Sequence, residues 1–493
     1  MNYYDIPRYL KRYKFQEKMR VLHHFSKQLL EHSGNSSIEK MMQSAHPWEL
    51  ETLLLFSLKS TPEYSDNNFE GKNIKKFIEM INGVRDFQHP LLEKKIGSIH
   101  FADYIMVVLG LSQFDIQEFL PYKYYRYSYI FNFTNDNLDM KSLFKSYYGT
   151  SYEEFRKLGT ILNLLESLEN KIITQEILDY VVLRECPIAY QNLSLSTEEY
   201  LEQLDNITMN QEDYLYCLRP SYKFPFIIHN DRAYYPLPHI LGRSVTSSLL
   251  YRITDSNNEL RTLIGKHVLE KYLYNLLIGA QVYDEVIPEQ DFKLKHNNNA
   301  KTLDVMVRKD NKFLLLDSKS SVPRANLRII DEEAFEKEIE IASKNIIQVY
   351  NHISVYFPVI YNFFDFKDVI EKENIYGAVV TLEDNFIRRS IIYERVANKL
   401  KIGLNTDEYN WIVNHIKVVS FYDIEKASFI GKSVIDELER QKINNRSYDF
   451  SLVDNFEGDS HIINKSYLDF KKEWLSGITE VAENMKRDRI ISE

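Results

Sequence analysis

Near the middle of the 493-residue chain, two aspartates and a lysine have the types and spacing that phosphate chemistry uses. Asp304 lies in the β-like run Lys301 to Val307. Asp317-Ser318-Lys319 closes a second such run, which starts at Lys312. Between them Arg308-Lys309-Asp310-Asn311 is a polar break of the kind that closes a tight hairpin. With Asp310 and Asn311 as a two-residue turn, Lys309 faces Lys312, and each step outward pairs the next two residues until Asp304 lies opposite Asp317. Alternation puts Asp317 and Lys319 on the face of Phe313 and Leu315, with Leu314, Leu316 and Ser318 on the other. Opposed carboxylates have Cβ atoms about 4.5–5.5 Å apart and repel unless a cation intervenes. A hard divalent ion such as Mg²⁺, which takes carboxylate, water and phosphate oxygens, meets that need. Lys319 adds a positive charge suited to holding a phosphate or stabilising charge that develops on it.

These residues must be positioned by a sheet and by at least one helix. Helical spacing predicts a helix from Asn258 to Gly279, with the stripe Leu263, His267, Glu270, Tyr274 and Leu277 placing Glu270 at or near a packed face, where an unpaired charge is costly. Glu270 on that helix, Asp304 on one strand and Asp317-Ser318-Lys319 at the end of the next resemble the PD-(D/E)XK nuclease superfamily. The likeness covers roughly residues 259 to 350. Leu303 stands where the family has a proline.

The resemblance implies a restriction-endonuclease-like fold. It also implies Mg²⁺ or Mn²⁺ held by Asp304, Asp317, the backbone carbonyl of Ser318 and, directly or through water, Glu270. Lys319 would then assist attack of water on the scissile phosphate. Gln348 falls where some members place an accessory glutamine, although His352 replaces the tyrosine that accompanies it. The same tripeptide pattern recurs at Glu93-Lys94-Lys95, Asp291-Phe292-Lys293 and Asp365-Phe366-Lys367. Only Asp317 follows a four-residue apolar run and has an acid facing it across a hairpin. A structural Asp–Lys pair on a sheet edge is the alternative.

Composition bounds the rest. The length suggests two to four domains. A net charge of −10 and a pI near 5.8 exclude a basic nucleic-acid coat, so any polyanion-binding surface is a local groove. Two cysteines, Cys186 and Cys217, outside any Cys/His cluster speak against a disulfide framework or structural zinc. The start has no signal-peptide pattern and no stretch is apolar enough for a bilayer, which predicts a cytoplasmic protein without membrane partners. The wealth of Lys, Asn, Ile, Tyr and Phe matches an AT-rich bacterial genome and lowers the weight of any single Tyr or Lys.

In chain order, residues 1–215 read as mainly helical, a recognition or regulatory region. Within it Tyr122-Lys123-Tyr124-Tyr125-Arg126-Tyr127-Ser128-Tyr129 suits either base stacking or ordinary packing, packing being favoured. The adjacent His23 and His24 point to opposite sides of a helix, as a surface pair does. Residues 216–257 read as a connector with a hairpin around Asn230-Asp231, then 258–440 as the nuclease-like domain and 441–493 as a polar appendage. Glu289 and Asp291, before the hairpin, are candidate outer carboxylates or solvated loop residues. Strands are predicted at Gln281 to Ile287, Tyr376 to Leu382 and His415 to Phe421, an acidic helix from Asp331 toward Tyr350, and another helix over Arg388 to Leu400.

The expectation is a mixed sheet flanked by helices, behind a large helical N-terminal region. Its function would be metal-dependent cleavage of nucleic acid, DNA ahead of RNA or tRNA, in the manner of bacterial antiphage effectors. A non-catalytic binding protein that kept the fold is the rival. A phage-derived or protein activator acting through the N-terminal region, and an oligomer, fit that scheme. A fragment starting near Tyr216 is then expected to keep cleaving.

Overall fold

The computed structural model describes all residues except 33–44, 61–66, 89–100, 114–117, 168–172, 209, 256, 296–301, 321–322, 324, 330, 358–365, 367, 449–451, 453–461, 489 and 491–493. The protein is a mixed α/β structure in which helix predominates. The longer N-terminal helices are α1 Phe15–His32, α2 Pro47–Lys59, α3 Lys72–Arg85, α4 Phe101–Gln113, α5 Leu120–Asn132, α6 Met140–Tyr148, α7 Tyr152–Ser167 and α8 Thr197–Ile207. Pro47 at the start of α2 and Pro121 near the start of α5 occupy positions where a missing N–H costs nothing. Ser196 and Glu199 cap α8 reciprocally.

The predicted hairpin around Asn230-Asp231 is present. Both turn residues have positive φ, 49° and 59°, as a two-residue hairpin turn with the twist of its strands requires. Its strands, β2 Phe226–His229 and β3 Arg232–Tyr234, join a strand not foreseen, β1 Ser194–Ser196. The segment is therefore not a free connector: Ile227 packs in one core with α1, α2 and α3.

The helical segment after α9 (Ser247–Thr254) runs from Asn258–Leu263 through a π-helical turn, Ile264–Leu269, into α10 (Glu270–Gly279). The main sheet follows. Its strands are β4 Glu285–Pro288, β5 Val305–Lys309, β6 Lys312–Lys319, β7 Ile375–Thr381 and β8 Ile416–Ser420, in the order β8-β7-β6-β5-β4. β4, β5 and β6 form an antiparallel meander, while β6, β7 and β8 are parallel. Helix α11 (Glu289–Lys295) follows β4, α12 (Glu332–Asn351) links β6 to β7, and α13 (Arg389–Leu400) and α14 (Asp407–His415) link β7 to β8. The chain ends with α15 (Phe421–Phe429), α16 (Val434–Ile443) and α17 (Lys465–Arg487).

The sheet is covered on both faces. Leu314, Leu316, Val305, Val307 and Val380 pack with α5, α10, α15, α16 and α17. Phe313, Leu315, Met306 and Val379 pack with α12, α13 and α14. Burial on both sides explains why β6 reads as a continuous apolar run rather than an alternating one. Gly377 on β7 lets α12 close on the sheet, since a Cβ there would lie 2.4 Å from Val349 Cγ1.

The cores cross the boundaries drawn from composition. Val107 and Leu111 of α4 belong to the α12 face, and Tyr122, Tyr124 and Tyr127 of α5 to the other. Likewise α17 buries Tyr467, Val481 and Met485 and seats Trp474 Nε1 on Thr160 Oγ1 at 2.8 Å, so it is packed into the molecule rather than appended. Among the described residues no helix is long and apolar enough to cross a membrane.

Candidate functional site at one edge of the sheet

The strand directions gather the predicted residues. β4 and β6 to β8 all end at one edge of the sheet, where the antiparallel β5 begins. Lys309 pairs with Lys312 and Val305 with Leu316, so one further step sets Asp304, at the bend before β5, opposite Asp317. Asp310 takes the positive φ (53°) that the tight turn needs. Of the competing tripeptides, Asp291-Phe292-Lys293 sits within α11 with Asp291 exposed. The other two fall outside the described residues, except Phe366.

Asp317 is buried and Lys319 half-buried. Lys319 Nζ lies 2.6 Å from Asp317 Oδ2 and 3.5 Å from Gln348 Oε1 on α12. Ser318 does more than separate the two: its N–H and its hydroxyl both donate to Asp304 Oδ2, at 2.6 and 2.7 Å. Register alone does not foretell this, since alternation turns the Ser318 side chain away from the Asp317 face; the two meet because Asp304 lies at the bend, off the start of β5. The N–H of Glu289 donates to the Asp304 carbonyl at 2.8 Å, fixing the start of α11 against the bend. Lys293 pairs with the Glu289 carboxylate at 2.5 Å.

Glu270 opens α10 directly after the π turn, a feature that recurs at functional sites because it re-aims the residues beyond it. The buried face is Leu260, Ile264, Val268, Leu269, Tyr272, Leu273, Leu276 and Leu277, so of the predicted stripe only Leu277 is fully buried. The stripe runs along the margin of that face: Leu263 and Tyr274 are half-buried against the same core and His267 and Glu270 are half-buried beside them, so Glu270 lies next to a packed face. Gly265 within that segment faces Ser320, next to Lys319, where a Cβ would lie 3.3 Å from the serine Oγ.

The electrostatics show a surplus of negative charge. Burial pushes the Glu270 carboxyl from an ordinary 4.5 up to about 8, helped by the charges of Asp304, Glu289 and Asp317 and opposed by Lys266. Burial raises Asp304 as well, aided by Asp317 and opposed by the Ser318 donors and Lys319. Asp317 is raised by burial, held back by Lys319 and pushed further by Glu289. Hence Glu270, Asp304, Asp317 and Glu289 share one field. Hard oxygen donors short of positive charge fit a Mg²⁺-class ion in chemistry. As they stand, with Lys319 on Asp317 and Ser318 on Asp304, no three His, Cys, Asp or Glu among the described residues form a ready metal cage.

A prediction follows from the sign of the Glu270 shift. Native Glu270 keeps a proton that the unfolded chain has released, so its contribution to stability is full below pH 4.5 and is lost as pH rises to about 8. In chelator, Glu270→Gln is expected to melt above wild type at pH 8 and level with it at pH 4.5. Equal melting points at both pH values would show that Glu270 is not held neutral.

The aromatic-basic stretch is part of the core. Tyr122, Lys123, Tyr124, Arg126, Tyr127 and Ser128 are buried in α5. His23 binds the Tyr235 carbonyl through Nδ1 and Glu166 through Nε2, which gives it a structural role, while His24 is exposed. A cavity bounded by Tyr350, Phe357, Ile370 and Ile375 opens at the far end of the sheet, away from these acids.

Comparison with known proteins finds no matching family model, no matching curated protein and no matching solved structure.

Proposed function

We propose that the protein is a metal-dependent phosphodiesterase acting on nucleic acid, DNA in the first place, with a site of the PD-(D/E)XK kind on a restriction-endonuclease-like sheet. The observation that carries this reading is the hairpin register, which sets Asp304 opposite Asp317 with Lys319 beside them and Glu270 in the same field. A purely structural Asp–Lys pair would leave the carboxyls of Glu270, Asp304 and Glu289 without a reason to share the edge.

Asp304, Asp317, Glu270 and the Ser318 carbonyl would hold the ion. When bound, Mg²⁺ or Mn²⁺ polarises a phosphate oxygen and lowers the pKa of water at the site. Lys319 is placed to swing from Asp317 toward the phosphate, where its charge offsets the negative charge gathering on the oxygens. Gln348 gives the lysine a neutral partner. Glu270 would bind the ion as the carboxylate, giving up the proton that burial holds on it in the metal-free protein. Ser318 holds Asp304 in one orientation through two hydrogen bonds.

The deciding experiment is cleavage of labelled plasmid, single-stranded DNA and tRNA in parallel, with and without Mg²⁺. Loss of none of the three would sink the proposal, and cleavage of tRNA alone would move the substrate to RNA. Metal binding is tested separately. Millimolar Mg²⁺ is expected to raise the melting temperature of wild type by mass action and to leave Asp304→Ala/Asp317→Ala unmoved. Equal shifts would place the ion elsewhere.

A further inference from the structure

The back of the helix that carries Glu270 is held by the N-terminal region. Tyr272 stands two residues after Glu270, about 200° round an ideal helix, and so faces away from it. Its hydroxyl donates to Glu425 Oε1 at 2.7 Å. Glu425, fully buried in α15, also receives both arms of a guanidinium: Arg126 Nε reaches Oε1 and Arg126 Nη2 reaches Oε2, each at 2.7 Å. Arg126 is itself fully buried on α5, and its Nη1 extends to the Leu382 carbonyl at 3.4 Å, one residue beyond Thr381, which pairs with Lys319.

Around this polar knot the contacts are aromatic. The ring of Tyr272 lies 4.8 Å from Tyr129 of α5 and 5.4 Å from Phe421 of α15. The neighbouring Tyr127 donates to Glu383 Oε1 at 3.0 Å. Thus α5 touches both the Glu270 helix and the loop that leaves the strand beside the Asp-Ser-Lys tripeptide.

We propose that Arg126 is a positioning residue for the site, acting through Glu425 and Tyr272 to fix the helix that aims Glu270, so that the N-terminal helical region completes the catalytic unit. This rests on the phosphodiesterase reading above. A buried bidentate pair has one geometry, unlike a greasy contact that slides, and it is the geometry of the pair that the Tyr272 hydroxyl reads. A freed hydroxyl would let α10 shift by fractions of an ångström, enough to misplace a reacting carboxyl.

The test uses the full chain. Tyr272→Phe keeps the ring and removes only the hydroxyl. Its kcat is expected to fall about tenfold at unchanged KM, with faster amide exchange confined to Ile264–Leu269 and Glu270–Gly279. Arg126→Met leaves Glu425 buried and unpaired, so the paired change Arg126→Met/Glu425→Leu serves where the single variant fails to fold. The paired variant is expected to be folded, with the same low kcat and the same loosened helix. Arg126→Lys should recover part of the rate. Wild-type kcat and wild-type exchange in Tyr272→Phe and in the paired variant would overturn the proposal. A wild type that cuts nothing would overturn the phosphodiesterase reading instead, and exchange in the same variants would still decide whether the clamp exists.

Discussion

Asp317→Asn is expected to lower metal-dependent cleavage by about three orders of magnitude and to leave the fold intact, since an ion worth several kcal/mol to the transition state loses a charged ligand. Asparagine keeps the volume in a position where Asp317 is 3 % exposed. Stability has little to lose. Burial already disfavours the Asp317 charge, and the Lys319 ammonium that balances it also has Gln348 within 3.5 Å. In chelator the variant should therefore melt level with wild type or above it. The measurements are single-turnover rates on labelled DNA with Mg²⁺, and melting followed by circular dichroism without it. A folded Asp317→Asn protein that cuts at the wild-type rate would falsify the assignment of the tripeptide.

The second large effect concerns the N-terminal region. Composition favours a fragment from Tyr216 onward that folds and cuts. The packing predicts the opposite: a fragment that is unfolded or inactive. Removal of α5 strips five buried side chains, Tyr122, Tyr124, Tyr127, Ile130 and Phe131, from their cluster. At about 1.5–3 kcal/mol for each large apolar side chain, the loss is on the order of 10 kcal/mol, comparable with the whole stability of an ordinary domain. Glu425 would also stand buried without Arg126, at a further cost of about 3–5 kcal/mol. Loss of Val107 and Leu111 opens the core on the other face of the sheet. The measurement is expression and circular dichroism of the fragment, with cleavage assayed alone and with residues 1–215 added. A folded, active fragment would restore the view of the first half as a separable gate.

The contrast shows what the sequence could and could not reveal. The hairpin was legible because a polar turn and two apolar runs allow only one register that buries both. The predicted strand from Lys312 and the predicted helix from Asp331 appear as β6 and α12, the latter with Asp331 as its N-cap. The face of the Glu270 helix was legible only to its margin, where Leu263, Tyr274 and Leu277 pack, since a π turn leaves no mark in residue types. Nor could residue types say what Arg126 does. Its partner lies 299 residues away, and a basic residue among tyrosines looks the same whether it meets phosphate or a buried glutamate. The C-terminal helix misled for a related reason: few of its residues are buried, and most of its length is polar.

The separation of Arg126 from Glu425 also sets a clock. At roughly 5–20 residues per second, a ribosome that has made Arg126 needs roughly 15–60 seconds more to make Glu425, 299 residues later. Asp304, Asp317 and Lys319 are made within that interval, and over its last 106 residues, from Lys319 to Glu425, the chain holds all three while the helix behind Glu270 still lacks its anchor. On the proposed reading, a nascent chain carries the tripeptide without an ordered site, and cleavage would become possible only when synthesis is almost done. If the protein is the nuclease proposed above, late assembly is a safeguard written into chain order.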